Sequence, residues 1–235
     1  MALQMATYLS GKVENIVFYK RSGTYIARAI PDSVKQSDAT KIRSRNFGIA
    51  SSAGSALRSL LLPVLPFPKD RKMQNKFAGA IARWLGLNNA SDLLPTDNIP
   101  YVNHFDFNES TSIQERFKIP IDVTQPSANL IEVNIAAFIP TSCIAAPAHT
   151  EFLELTITAA SCELEDGIAL GSFTSKINIP YNDTLINAQV ISLPVSTGAG
   201  SLVITTASLV YLLAGEKRNT NPAFMPASVV DARYC

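Results

Sequence analysis

Three cysteines, two histidines and one tryptophan are all that the 235-residue sequence holds of those types. Cys143, Cys162 and Cys235 are too few, and odd in number, for a disulfide framework, which fits a reducing compartment. His104 and His149 leave little material for histidine-based catalysis, and no Gly-x-Ser-x-Gly elbow accompanies them. Gly-x-x-x-x-Gly-Lys-Ser/Thr and Gly-x-Gly-x-x-Gly are both absent, which removes two common phosphate-cradling loops. No apolar run approaches the ~20 residues of a membrane span. The opening residues lack a basic stretch followed by an apolar one, so no Sec-type signal is expected and the expected place of synthesis is the cytoplasm. On these grounds no enzyme activity and no cofactor are expected.

Charge is scarce too. Charged residues make up 17% of the chain against 47% apolar ones. That composition is globular, and the small charged fraction suggests that some surface is covered by other chains. A β-rich fold with a Ser/Thr/Asn surface would give the same figures. The near-zero net charge hides an asymmetry. Residues 1–90 hold 14 Lys/Arg against 4 Asp/Glu, a balance of +10, and residues 91–235 hold 6 against 15, a balance of −9. Such a split drives head-to-tail association or offers a basic face to nucleic acid or an acidic partner. The plainer reading is that the two halves neutralise each other within one subunit.

What is present divides into an α+β order: an N-terminal β-hairpin plus two helices, followed by an antiparallel β-sandwich of about seven strands. Residues 13–19 and 24–30 read as hairpin arms around a turn at Lys20-Arg21-Ser22-Gly23, stopped by Pro31-Asp32. A first helix begins at Ser37 or Asp38 and carries Ile42, Asn46, Ile49, Ala50, Ala53, Leu57, Leu60 and Leu61 at three- and four-residue steps, ending before Pro63. Its middle, residues 50–56, is small-sided, which suits either local packing or a helix contact between subunits. A second helix runs from about Lys69 to Leu85 on the stripe Met73, Phe77, Ala80, Ile81, Trp84 and Leu85, with Gly86 as its stop.

Beyond residue 100 the period changes to two. Strands are expected at 101–107, 117–123, 130–138, 152–162, 169–179, 186–193 and 202–213, with turn signals between them. The expected organisation is a basic hairpin-helix module at 1–90, a linker at 91–100, a sandwich domain at 101–215 and an extended arm at 216–235, with one late strand at 228–232.

Candidate chemistry is sparse. Cys143, His149 and Glu151 are metal-ligand types within nine positions, but a zinc site wants a fourth ligand. His104 and Asp106 share a strand face at i and i+2. Glu163, Glu165 and Asp166 precede Gly167 and read as a solvated turn more readily than a Ca²⁺ loop. Tyr181 is the one aromatic expected on the sandwich loops. Lys12, Lys20, Arg21 and Arg28 on the hairpin, Lys41, Arg43, Arg45 and Arg58 on the first helix, and the aromatics Tyr19 and Tyr25 form a basic, base-stacking set, but no nucleic-acid-binding motif accompanies them.

The run Gly11-Lys12-Val13-Glu14-Asn15-Ile16-Val17-Phe18-Tyr19-Lys20, then Gly23-Thr24-Tyr25-Ile26-Ala27-Arg28, then Phe47-Gly48-Ile49-Ala50-Ser51-Ser52-Ala53-Gly54 and Leu57-Arg58, resembles a family of uncharacterised proteins from Bacteroidota. The resemblance spans residues 9–62, about a quarter of the chain. It implies a bacterial source and brings no activity with it.

The expected function is therefore a non-enzymatic structural subunit that assembles with itself into a filament, tube or shell. Lys12, Arg21, Arg28, Arg43, Arg45, Ala53, Gly54 and Arg58 are the candidate interface residues on the basic side, and Glu163, Glu165 and Asp166 those on the acidic side. The alternative is a monomeric or dimeric β-sandwich module that binds glycan, protein or nucleic acid.

Overall fold

Two successive residues with positive φ make the tightest turn of the chain: Ser22 at +47° and Gly23 at +85°. They close a two-residue hairpin between β3 (Ile16–Arg21) and β4 (Thr24–Ala29), where the left-handed pair matches the twist of the strands. Two further strands precede it, β1 (Ala2–Met5) and β2 (Tyr8–Val13). Together they form a four-stranded antiparallel meander in chain order. The expected hairpin is its second half, but its first arm starts at Ile16 and takes in Lys20 and Arg21 of the expected turn, because Glu14, at φ +48°, turns the chain after Val13.

The structure is a computed structural model that describes residues 2–5, 8–31, 35–66, 70–87, 93–96, 98–215 and 217–235. Asp32, Pro68, Lys69, Glu216 and residues 91, 92 and 97 of the expected linker lie outside the described residues. The chain divides into two compact units, Met1–Ile42 and Arg43–Cys235. The division differs from the expected boundary at 91–100, and the reason lies in the helices.

Helix α1 (Asp38–Leu61) opens under a Ser37 cap, whose Oγ accepts from the Thr40 N–H at 3.3 Å. Helix α2 (Arg71–Leu87) opens under Asp70, whose carboxylate accepts from the N–H groups of Lys72 at 2.8 Å and Met73 at 3.3 Å. Gly86 does not stop it; the helix runs one residue further. Ile42, in the first turns of α1, is 56% exposed, but most of the two expected stripes is buried: Leu57, Leu61, Phe77, Ile81, Trp84 and Leu85 are all within 2% of full burial. Each contributes about 1.5–3 kcal/mol of hydrophobic stabilisation. Their partners are Ala160, Cys162, Leu202, Ile204, Val229 and Ala232. From Arg43 on, the helices therefore share one core with the later strands and belong to the second unit.

Those strands are β7 (Thr150–Glu163), β8 (Ala169–Pro180), β10 (Ser201–Leu213), β11 (Lys217–Arg218) and β12 (Ala227–Tyr234), ordered β11-β10-β7-β8 with β12 also paired to β10. A separate three-stranded sheet holds β5 (Ile121–Ser127), β6 (Leu130–Ile135) and β9 (Gln189–Pro194) in the order β5-β6-β9. Two short helices, α3 (Ile113–Arg116) and α4 (Pro140–Cys143), and a 3-10 turn at Pro222–Phe224 connect them. All pairing is antiparallel.

The layers follow from residue parity. Cys162, Ala160, Leu202 and Ile204 point to the helices, while Leu153, Leu155, Ile157, Val203, Leu209 and Tyr211 point to Ile131, Val133, Ile135 and Leu193 of the smaller sheet. The central strands β7 and β10 are thus covered on both faces, which explains their nearly continuous apolar and Thr-rich sequences. The strands after residue 100 form one five-stranded and one three-stranded antiparallel sheet.

Two expectations fail locally. Residues 101–107 are not a strand. Tyr101 and His104 take positive φ of 69° and 63°, which breaks the alternation, and the segment meets β12 through an isolated bridge, Asp106 to Ser228, and a bond from the His104 N–H to the Val229 carbonyl at 3.0 Å. The expected C-terminal arm is no free arm: β12 pairs with β10 from Leu202↔Tyr234 to Ser208↔Ala227. The late strand expected at 228–232 is its centre.

Candidate assembly surfaces

The N-terminal sheet has aromatic and β-branched residues enough to form strands, yet none of residues 8–31 is buried. Tyr8 is 47% exposed, Val13 46% and Tyr25 45%, with Leu9 and Ile16 close behind. Cross-strand register sorts the side chains: Phe18 opposes Ala27 on one face, and Val17 opposes Arg28 on the other. Each face carries a shallow hollow of about 300 Å³. One is lined by Tyr8, Leu9, Phe18, Tyr25, Ile26 and Ala27 and the other by Val17, Tyr19, Arg28, Ala29, Ile30 and Pro31. The rings of Tyr8 and Tyr25 stack with centroids 3.7 Å apart and planes 4° from parallel, and the Lys20 ammonium lies 5.0 Å from the Tyr25 centroid. Lys12, Arg21 and Arg28 are exposed on the opposite face, the one that carries Val17. Tyr8 was not legible as a partner of Tyr25, because Gly11, at φ +110°, interrupts the alternation of its strand.

In the second unit the candidate residues separate into different roles. Ala53 and Gly54 are buried within the protomer. The Ala53 carbonyl accepts from the Cys162 thiol at 3.8 Å. A Cβ on Gly54 would sit 3.5 Å from the Ala78 Cα and 3.6 Å from Ile81 Cδ1. The small-sided stretch therefore serves local packing on α2 and on the sheet, and neither residue is open to a second subunit.

Arg45 and Glu165, expected on opposite sides of an intersubunit contact, meet within one chain at 2.8 Å. Lys72 and Lys76 both converge on Glu109, the first at 2.9 Å. The two lysines hold the Glu109 carboxyl below the ordinary carboxylate range. Part of the basic half is thus neutralised by the acidic half in the same protomer. Arg43, Glu163 and Asp166 are exposed, and none has an ion-pair partner among the described residues. Arg58 is half-buried, and lost hydration lowers its guanidinium from its ordinary range.

The metal-like groupings do not assemble. Among the described residues no set of three His, Cys, Asp or Glu side chains is placed to hold a metal. Cys143 packs against the core between the sheets, whereas His149 and Glu151 are exposed. His104 Nδ1 is hydrogen-bonded to the Gln114 amide at 2.6 Å. Asp106 accepts from the Ser228 hydroxyl at 2.5 Å, and the same hydroxyl accepts from the Ile113 N–H at 3.0 Å, a relay that fastens α3 to β12. Tyr181 is half-buried and donates to the Ile144 carbonyl at 3.2 Å. Arg116, which the sequence did not single out, ties three segments together. It donates to Thr111 Oγ1 at 3.1 Å and the Ala223 carbonyl at 2.9 Å, and its guanidinium lies 4.4 Å from the Phe224 centroid. No helix among the described residues is long and apolar enough to cross a membrane.

Comparison with protein-family models and with curated proteins finds no match. The functional reading therefore rests on this geometry.

Proposed function

We propose that the chain is a non-enzymatic structural subunit that assembles with itself into a homopolymer, the N-terminal sheet of one copy being covered by another copy. One observation carries the proposal: a four-stranded sheet with apolar side chains on both faces and no buried residue between Tyr8 and Pro31. A sheet needs an apolar face packed against something to be stable. Covering the half-exposed Tyr8, Leu9, Val13, Ile16 and Tyr25 supplies on the order of 1 kcal/mol each. Lys12, Arg21 and Arg28 suit an acidic partner surface, and Glu163 and Asp166 of a neighbouring copy offer one. A contact between two different surfaces continues into an open polymer unless its rotation closes a ring.

A second reading is favoured by the stacked Tyr8–Tyr25 pair beside Lys20, on a sheet whose other face carries Lys12, Arg21 and Arg28. Exposed aromatics among basic residues are how single-stranded nucleic acid is held. Under that reading the sheet takes a strand of bases in place of a second copy.

Light scattering with negative-stain imaging, at low salt and ~0.5 M salt, separates the two. Regular particles or fibres that vanish in the Tyr8→Ser/Tyr25→Ser variant support assembly through this sheet. A monomer at every concentration overturns it. A monomer that also binds an oligothymidine, with Tyr25→Ser weakening the binding, establishes the second reading.

A further inference from the structure

Strand β8 runs for 12 residues and, among the described residues, has a paired neighbour, β7, on one side only. Open edges in folded proteins are ordinarily guarded by charge, proline, bulges or a covering segment. The guard on β8 is thin. Its single charge, Lys176, is engaged at 3.0 Å by Glu154 of its own chain. Its only proline is the last residue, Pro180, and its one register shift falls near its start, opposite Ser161 and Cys162. Leu170 and Phe173 are each 40% exposed, and Ile168 just ahead of the strand is 54% exposed.

We infer that β8 is a second self-association edge, on which two copies pair their β8 strands antiparallel about a two-fold axis at Phe173. The occupant follows from charge. A basic edge strand such as β4, with Arg28, would find no carboxylate on β8. A second β8 brings no unpaired charge, because each Lys176 keeps the Glu154 of its own chain. With the axis at Phe173, the two Phe173 rings lie directly opposite each other, a stabilising aromatic cross-strand pair. Lys176 then lies opposite Leu170 of the other copy and covers it with its methylene stem. The two Lys176 residues stand six positions apart, about 20 Å at the rise of a strand. The pairing joins two five-stranded sheets into one and covers Leu170 and Phe173 of both copies. It is a different surface from the N-terminal sheet and stands whether or not that sheet associates. If both contacts form, each copy has two mating surfaces and the assembly can extend.

The test uses the full chain carrying Phe173→Cys. Directly opposed strand residues place their Cβ atoms about 4.5–5.5 Å apart, close enough for a disulfide after a small adjustment. Under mild oxidation the variant should form a covalent dimer at least tenfold faster than Val190→Cys. Val190 is 65% exposed on the smaller sheet and serves as the equally accessible control. Adding Leu170→Lys to Phe173→Cys should slow the crosslink about tenfold with the thermal midpoint unchanged, since Leu170 is exposed. Equal crosslinking at positions 173 and 190, or a crosslink indifferent to Leu170→Lys, overturns the inference. The crosslink should persist in Tyr8→Ser/Tyr25→Ser; its loss there would also overturn it, because the contact would then depend on the N-terminal sheet.

Discussion

A Cβ added to Gly167 would fall 2.5 Å from the Cβ of Ser52 and 2.6 Å from its carbonyl carbon. The turn that leads into β8 therefore rests on the backbone of α1, and Gly167 holds it there at φ +66°. Gly167→Ala should cost about 2–4 kcal/mol, the sum of left-handed strain and overpacking. Gly54→Ala should do the opposite. Its Cβ meets only ordinary contacts at 3.5–3.6 Å, and alanine favours a helix over glycine by about 1 kcal/mol. Urea unfolding of the two variants beside the parent measures both signs.

The Arg45–Glu165 pair is exposed on both sides, 62% and 72%. Such pairs contribute about 0–1 kcal/mol. Glu165→Gln should therefore leave the unfolding midpoint within about 0.5 kcal/mol of the parent. A larger loss would show that the pair is held by more than its own attraction.

Burial raises the Asp106 carboxyl above its ordinary value, and the hydrogen bond from Ser228 opposes that rise. The folded chain thus binds this proton more tightly than the unfolded chain. Its contribution to stability should be highest below the ordinary carboxylate pKa of about 3.9. It should fall as pH rises from there through the raised folded value, and stay level above it. Asp106→Asn should remove that part of the pH dependence. Denaturation midpoints taken between pH 3 and 8 show whether the slope disappears or persists.

Cys162 is fully buried, and burial pushes its thiol up to about 12. Cys143 and Cys235 are half-buried. A thiol reagent at neutral pH should label Cys143 and Cys235 in the folded protein and reach Cys162 only on unfolding. Peptide mapping of the labelled sites checks this, and early labelling at Cys162 would mean that α1 opens from the sheet.

Strong periodicity was readable in the sequence, and the partner of each face was not. The stripe Met73, Phe77, Ile81, Trp84 marked α2 because a helix repeats every 3.6 residues. Alternation marked β6 and β7 equally well. Nothing in residues 50–56 said that their small side chains serve α2 and the Gly167 turn, because both lie far along the chain. The same holds for charge. The +10 and −9 halves suggested intersubunit attraction, yet Arg45 and Glu165, 120 positions apart, meet within one protomer. Tyr101 and His104 carry no local signal for positive φ, so a strand was expected where turns occur. The candidate surface was half visible: the basic residues and Tyr25 could be named, while its defining property, a sheet without a core, is a matter of three-dimensional burial.

The strand order also bears on synthesis. In the N-terminal meander each strand pairs with the next to be made, so the sheet can close as it leaves the ribosome. Strand β10 acquires its β12 neighbour only once residues 227–234 have been translated. During that interval a nascent chain displays a finished but uncovered sheet ahead of an unfinished body. Under the proposed assembly, partner capture at that sheet precedes completion of the fold.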